Sequence, residues 1–165
     1  MINPEYEKVL ETAESRRGFY RDLVKRLKKK KPKGLEEEIR RLHDEAFEEF
    51  DCLRCGNCCR IVGPKLSGND VNRLGKALSM RPKEVEEHYL TDDEDGDTVF
   101  REHPCPFLLE DNSCLIYEHR PKACRDYPHT DFSGVAGLGK LLDLSLENSL
   151  YCPVVARVLE GLSKL

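Results

Sequence analysis

Four thiols fall within eight residues at Cys52-Leu53-Arg54-Cys55-Gly56-Asn57-Cys58-Cys59, and no other stretch restricts the fold as tightly. The two-residue gaps of C-x-x-C-x-x-C-C let the chain fold back so that successive sulfurs face one centre, the pattern of a metal-ligand loop. Gly56 and Asn57 are the residues that tolerate the positive-φ backbone such a loop needs. Four further cysteines, Cys105, Cys114, Cys124 and Cys152, follow as singletons, so eight thiols divide arithmetically into two sets of four. The loop needs these distant partners to fill its coordination sphere. Adjacent cysteines project in different directions, so Cys58 and Cys59 either divide between neighbouring sites or only one of them binds.

Whether the thiols are ligands or disulfides depends on compartment. The N-terminus has no basic start followed by an apolar run, and no stretch of the 165 residues is apolar enough for a membrane span. A cytoplasmic location is expected, and in a reducing compartment metal ligation is favoured over four structural disulfides. With 35% charged residues, no Trp and two Met, the core is expected to be small and metal to supply part of the stability. A net charge of -4 gives no global drive toward nucleic acid or an anionic membrane.

Periodicity predicts an α+β fold, predominantly helical: an N-terminal helical hairpin over 1–50, then a cysteine-cluster metal-binding domain over 51–165 with short β pieces and a C-terminal helix. Tyr6, Val9, Leu10, Ala13, Tyr20, Leu23, Val24 and Leu27 line one face across residues 4–31, and Leu35, Ile39, Leu42, Ala46, Phe47 and Phe50 line another. These stripes are expected to pack across the Pro32–Gly34 turn, with Phe47 and Phe50 as candidate shields for a metal. The basic run from Lys25 to Lys33 complements a helix C-terminus and lacks interleaved aromatic residues, which disfavours nucleic acid; a protein partner is the occupant the hairpin would suit. Ser67-x-x-Asp70 caps a helix, Pro82 starts another, and the acidic run 92–97 lacks the register of an EF-hand and reads as a solvated turn. Short extended pieces are predicted at 98–101, 106–109 and 114–117. A tight hairpin with Leu109 facing Cys114 would leave Cys105 about 13 Å away, so either the segment bends or these two thiols serve different centres. Pro153 starts the last helix, with Cys152 at its N-cap where a thiolate is favoured.

Several thiol chemistries are excluded by spacing. A zinc ribbon needs a second C-x-x-C, radical-SAM enzymes need C-x-x-x-C-x-x-C, and zinc deaminases need P-C-x-x-C. The closest physical analogue is the ferredoxin run, with Cys52, Cys55 and Cys58 as the triplet and Cys105-Pro106 or Cys152-Pro153 as the distant Cys-Pro. An all-thiolate site accepts zinc as well as iron. Arg54, Arg60, Arg120 and Arg125 are candidates to offset its negative charge.

These residues resemble the YkgJ-like cysteine-cluster family of zinc- or iron-chelating domains. The resemblance rests on Cys52-x-x-Cys55-x-x-Cys58-Cys59, Cys105-Pro106-Phe107-Leu108, Cys114-Leu115-Ile116-Tyr117-Glu118-His119-Arg120-Pro121 and Cys124-Arg125-Asp126-Tyr127-Pro128. It covers roughly residues 50 to 155 and implies metal or cluster binding by Cys52, Cys55, Cys58, Cys59, Cys105, Cys114, Cys124 and Cys152. An iron–sulfur protein, with 4Fe-4S favoured, acting in electron transfer or as an accessory to a larger enzyme, is the first expectation. A zinc-stabilised interaction module is the second. The third is a metal-dependent enzyme related to lysine N-methylases, with His103, His119 or His129 as acid–base candidates; no glycine-rich SAM-binding segment accompanies it.

Overall fold

A computed structural model describes residues 2–165 and is mostly helical, with ten helices and one two-stranded sheet among the described residues. No described helix is long and apolar enough to cross a membrane. The chain divides into two compact units, the first made of Met1–Cys55 with Tyr127–Leu165 and the second of Gly56–Asp126.

The first unit holds α1 (Pro4–Ser15), α2 (Arg17–Lys30), α3 (Leu35–Glu49), the single turn α4 (Cys52–Cys55), and later α9 (Leu138–Asn148) and α10 (Pro153–Leu162). Asn3 caps α1 by accepting from the Glu5 amide at 2.9 Å, with Pro4 at the first helical position. The expected continuous helix over 4–31 is broken, not at Gly18 but at Arg16, whose φ of -100° and ψ of 8° separate α1 from α2. The reason lies in the packing: α1 rests on α10 and α2 rests on α9, so the two segments diverge toward different partners. The stripe of α3 likewise meets α10 as its main partner. The C-terminal helices therefore cover the apolar faces that the sequence suggested would close on each other.

Tyr6, Tyr20, Leu23, Ile39, Phe50, Leu141, Val155 and Leu159 are among the side chains of this core. Phe50 is buried edge-on against Tyr6, whereas Phe47 is exposed, its ring tilted against His43. The irregular stretch after Tyr127 is tied to α3: His43 Nδ1 and the fully buried Thr130 Oγ1 are 2.7 Å apart, and the Arg40 guanidinium donates to the Asp131 carbonyl at 2.6 Å. Of the basic run, Lys28 pairs with Asp143 at 2.7 Å, while Lys25, Arg26, Lys29, Lys30, Lys31 and Lys33 face solvent as a helix end.

The second unit holds α5 (Asn57–Ile61), α6 (Gly68–Leu78), α7 (Pro82–Tyr89), the strands β1 (Leu90–Asp92) and β2 (Thr98–Phe100), and α8 (Lys122–Asp126). Ser67 and Asp70 form the expected capping box at α6. β1 pairs antiparallel with β2 in the register Leu90 to Phe100, around the acidic turn. The second expected hairpin shrinks to one bridge, Leu108 to Cys114, one residue off the predicted register. The core here is small: Leu66, Val71, Leu74, Val85, Leu90, Phe100, Phe107 and Ile116, with Cys105 and Cys114 packed against it.

Candidate metal centre

The eight-residue loop is not a loop throughout. It is two short helical turns, α4 and α5, separated by Gly56 at φ 57°. Gly56 adopts the expected left-handed backbone, but Asn57 begins α5 instead of sharing it. A Cβ on Gly56 would meet the Arg60 guanidinium at 2.7 Å, so both the conformation and the space at this hinge suit glycine. The hinge also coincides with the boundary between units, placing Cys52 and Cys55 in the first and Cys58 and Cys59 in the second.

In the second unit, Cys59 on α5, Cys105, Cys114 at the β-bridge and Cys124 on α8 are all half-buried. The Cys105 amide donates to the Cys59 carbonyl at 2.7 Å, and the Leu108 amide donates to the Cys105 carbonyl at 3.0 Å. That second bond is the bend the sequence left open: the segment turns at once after Cys105 rather than running on as a strand. The Arg60 guanidinium also donates to Asn112 Oδ1, fixing the tip of the 109–113 turn against α5. Cys124 is placed from α6, because Asp70 Oδ1 accepts the Lys122 amide at 2.9 Å and Arg73 donates to the Arg120 carbonyl at 2.7 Å.

Charge on Cys59 raises the other three thiols. Burial pushes Cys124 up to about 12, with charge on Cys59, Cys105 and Cys114 adding to the rise. Burial likewise pushes Cys105 up to about 11, opposed by the Phe107 and Leu108 backbone amides and reinforced by Cys59 and Cys114. Cys114 is raised by burial, with the Ile116 amide opposing. Cys59 moves the other way, down to about 7, first because Cys58 hydrogen-bonds to it and then, against burial, because Arg60 and Arg120 lie near. Cys59 is thus shifted toward the thiolate while burial holds the other three toward the thiol, and a bound metal ion would reverse that local preference. Backbone amides two and three residues beyond a cysteine, directed at its sulfur, stabilise the thiolate form that ligates.

The first unit holds Cys52, Cys55 and Cys152. Cys55 and Cys152 are buried while Cys52 is exposed. Cys152 stands at the N-cap of α10 as expected. Burial pushes it up to about 12, the Val155 and Val154 amides oppose the rise, and charge on Cys52 and Cys55 adds to it. The sulfur donor sets of both units are soft and thiolate-rich, which suits zinc or iron–sulfur chemistry and not a hard oxygen-seeking cation.

Among the candidate counter-charges, Arg60 and Arg120 act on Cys59, and Arg120 also stacks over the Tyr117 ring at 3.6 Å. Arg54 and Arg125 are exposed. His103 and His119 are exposed, and His129 Nδ1 meets the Ser133 carbonyl at 2.8 Å. The donor atoms of Asp93, Asp95 and Asp97 lie within 4.8 Å of one another, but this is a hydrogen-bonded turn in which Asp93 Oδ1 accepts the Asp95 and Asp97 amides. The positioning roles of Asp70, Arg73 and Asn112 were not visible in the sequence. Asp70 announced itself as a helix cap, but its reach to Lys122 crosses 52 positions.

No curated protein and no solved structure matches the chain. The family of CxxCxxCC domains, described as "Putative zinc- or iron-chelating domain", matches residues 51–152. That match takes in all eight cysteines and more than half of the sequence, and the chain belongs to this family.

Proposed function

We propose that the protein binds an iron–sulfur cluster through Cys59, Cys105, Cys114 and Cys124, with Cys52, Cys55 and Cys152 as a second thiolate set and Cys58 bonded beside Cys59. The observation that carries this reading is the gathering of four half-buried thiols from separate segments of the second unit, with charge on Cys59 acting on the other three. An iron–sulfur cluster bound there would supply one-electron transfer, and backbone amides directed at the sulfurs would tune its potential. An electron carrier or an accessory to a larger enzyme then needs a partner protein.

A zinc-stabilised module is the second reading. It is favoured by the eight-residue core of the second unit, since a fold that small gains from a closed structural site. Replacing Cys59 or Cys124 by Ser and measuring iron, zinc and sulfide per chain tests both readings. Loss of iron and sulfide together supports the cluster, loss of zinc alone supports the module, and unchanged content removes the four thiols from either role.

A further inference from the structure

Positive charge in this chain is concentrated in one place. Residues 17–33 carry nine lysines and arginines against the single carboxylate of Asp22, in a protein whose net charge is -4. On α2 the apolar side chains Tyr20, Leu23, Val24 and Leu27 are buried, and the helix packs on α9. The flank beside that contact is neutralised by α9 itself: Asp143 pairs with Lys28 at 2.7 Å, and Glu147, four residues on, pairs with Arg17 at 3.0 Å. The outer face has no such partners. Arg21, Lys25, Arg26, Lys29 and Lys30, with Lys31 and Lys33 of the following turn, are exposed, and among the described residues none of them takes part in an ion pair.

Helix-end electrostatics accounts for only part of this face. The dipole acts within the last turn, which holds Lys28, Lys29 and Lys30, whereas Arg21 and Lys25 stand further back. Arg21, Lys25 and Lys29 follow at intervals of four and form a stripe with steps of about 6 Å along the axis. Like charges at that spacing cost helix stability, and carboxylates at the same spacing relieve it.

We infer that the stripe of Arg21, Lys25 and Lys29 is a docking face for an acidic helix of a partner protein, one carrying carboxylates three and four residues apart. The mode is already built once in the molecule, where Asp143 and Glu147 of α9 meet α2. Two other polyanions fit less well. No aromatic residue lies between Arg21 and Lys33 to stack on bases, and most of these cations are lysines, point charges without the fork that grips phosphate. An anionic membrane would call for an apolar face beside the charge, and that face of α2 is buried in the core. The inference stands apart from the metal reading, because α2 belongs to the first unit and carries no candidate ligand.

The test titrates the full chain, in about 0.15 M salt, into labelled probes followed by fluorescence anisotropy. The probes are a helical peptide with its glutamates on one face, an isomer of the same composition with them spread around the helix, and a short DNA duplex. Co-sedimentation with phosphatidylserine vesicles covers the membrane. The one-faced peptide should bind roughly tenfold or more tightly than its isomer and than the duplex, with the vesicles left unbound. Combined Arg21→Glu, Lys25→Glu and Lys29→Glu should remove that binding while leaving the thermal melt in place. A lysine version of the one-faced peptide should then bind this variant more tightly than it binds the wild type. Equal binding of the two isomers, stronger binding to duplex or vesicles, salt-sensitive dimerisation of the chain through these residues, or no binding at all overturns the inference.

Discussion

The backbone amide of Cys105 donates to the carbonyl of Cys59 across 2.7 Å, so two cysteines far apart in sequence are joined by the main chain itself. Preorganisation of this kind lowers the ordering cost of binding. Asn112 reinforces it by receiving the Arg60 guanidinium from the same helix. Asn112→Ala should cost about 1 kcal/mol in stability and weaken metal affinity by roughly tenfold. Competition with a chelator measures the affinity, and denaturant melts of the metal-free chain separate it from the loss of stability.

Asp70 does two jobs with one carboxylate. It caps α6 through the Ser67 amide and hydroxyl, at 2.9 and 2.7 Å, and it holds the Lys122 amide at the start of α8. Burial pushes its carboxyl up, but the Ser67 and Lys122 hydrogen bonds and the nearby Arg73 outweigh this and hold it below the usual range. A depressed folded-state value contributes stability above the unfolded value, about pH 4, and that stability is lost as pH falls through the folded value. Asp70→Ala should cost about 2 to 4 kcal/mol and flatten the acid limb of the stability curve. Thermal melts between neutral and acid pH would show the wild-type curve falling more steeply than the variant's.

Helices α6 and α7 meet where Gly75 leaves room for a carbonyl. A Cβ there would come within 2.7 Å of the Met80 backbone oxygen. Because the obstacle is backbone and not a side chain that can swing away, Gly75→Ala should destabilise the second unit by about 1 to 3 kcal/mol despite alanine's better helix propensity. Urea denaturation followed through the tyrosines would register it, and a neutral result would mean that the turn at Met80 moves at little cost.

Much of the local structure was legible because its signals are local. Ser67 with Asp70, Pro82 and Pro153 each mark a helix start found where the sequence put it. The break at Arg16 and the covering of the N-terminal stripes by α9 and α10 were not legible, because periodicity shows that a face is buried without naming its partner. At the site, cysteine spacing singled out the residues, yet the register at Cys114 and the turn after Cys105 depend on which segment Phe107 and Ile116 bury against. Asn57 illustrates the remaining gap: its tolerance for positive φ was real, but Gly56 alone supplies the hinge.

The most direct test of the account is iron and acid-labile sulfide per chain after anaerobic purification, in the wild type and in Cys59→Ser. The cluster reading predicts a coloured protein with comparable amounts of iron and sulfide, both falling sharply in the variant. A colourless wild-type protein with stoichiometric zinc and no labile sulfide would contradict it.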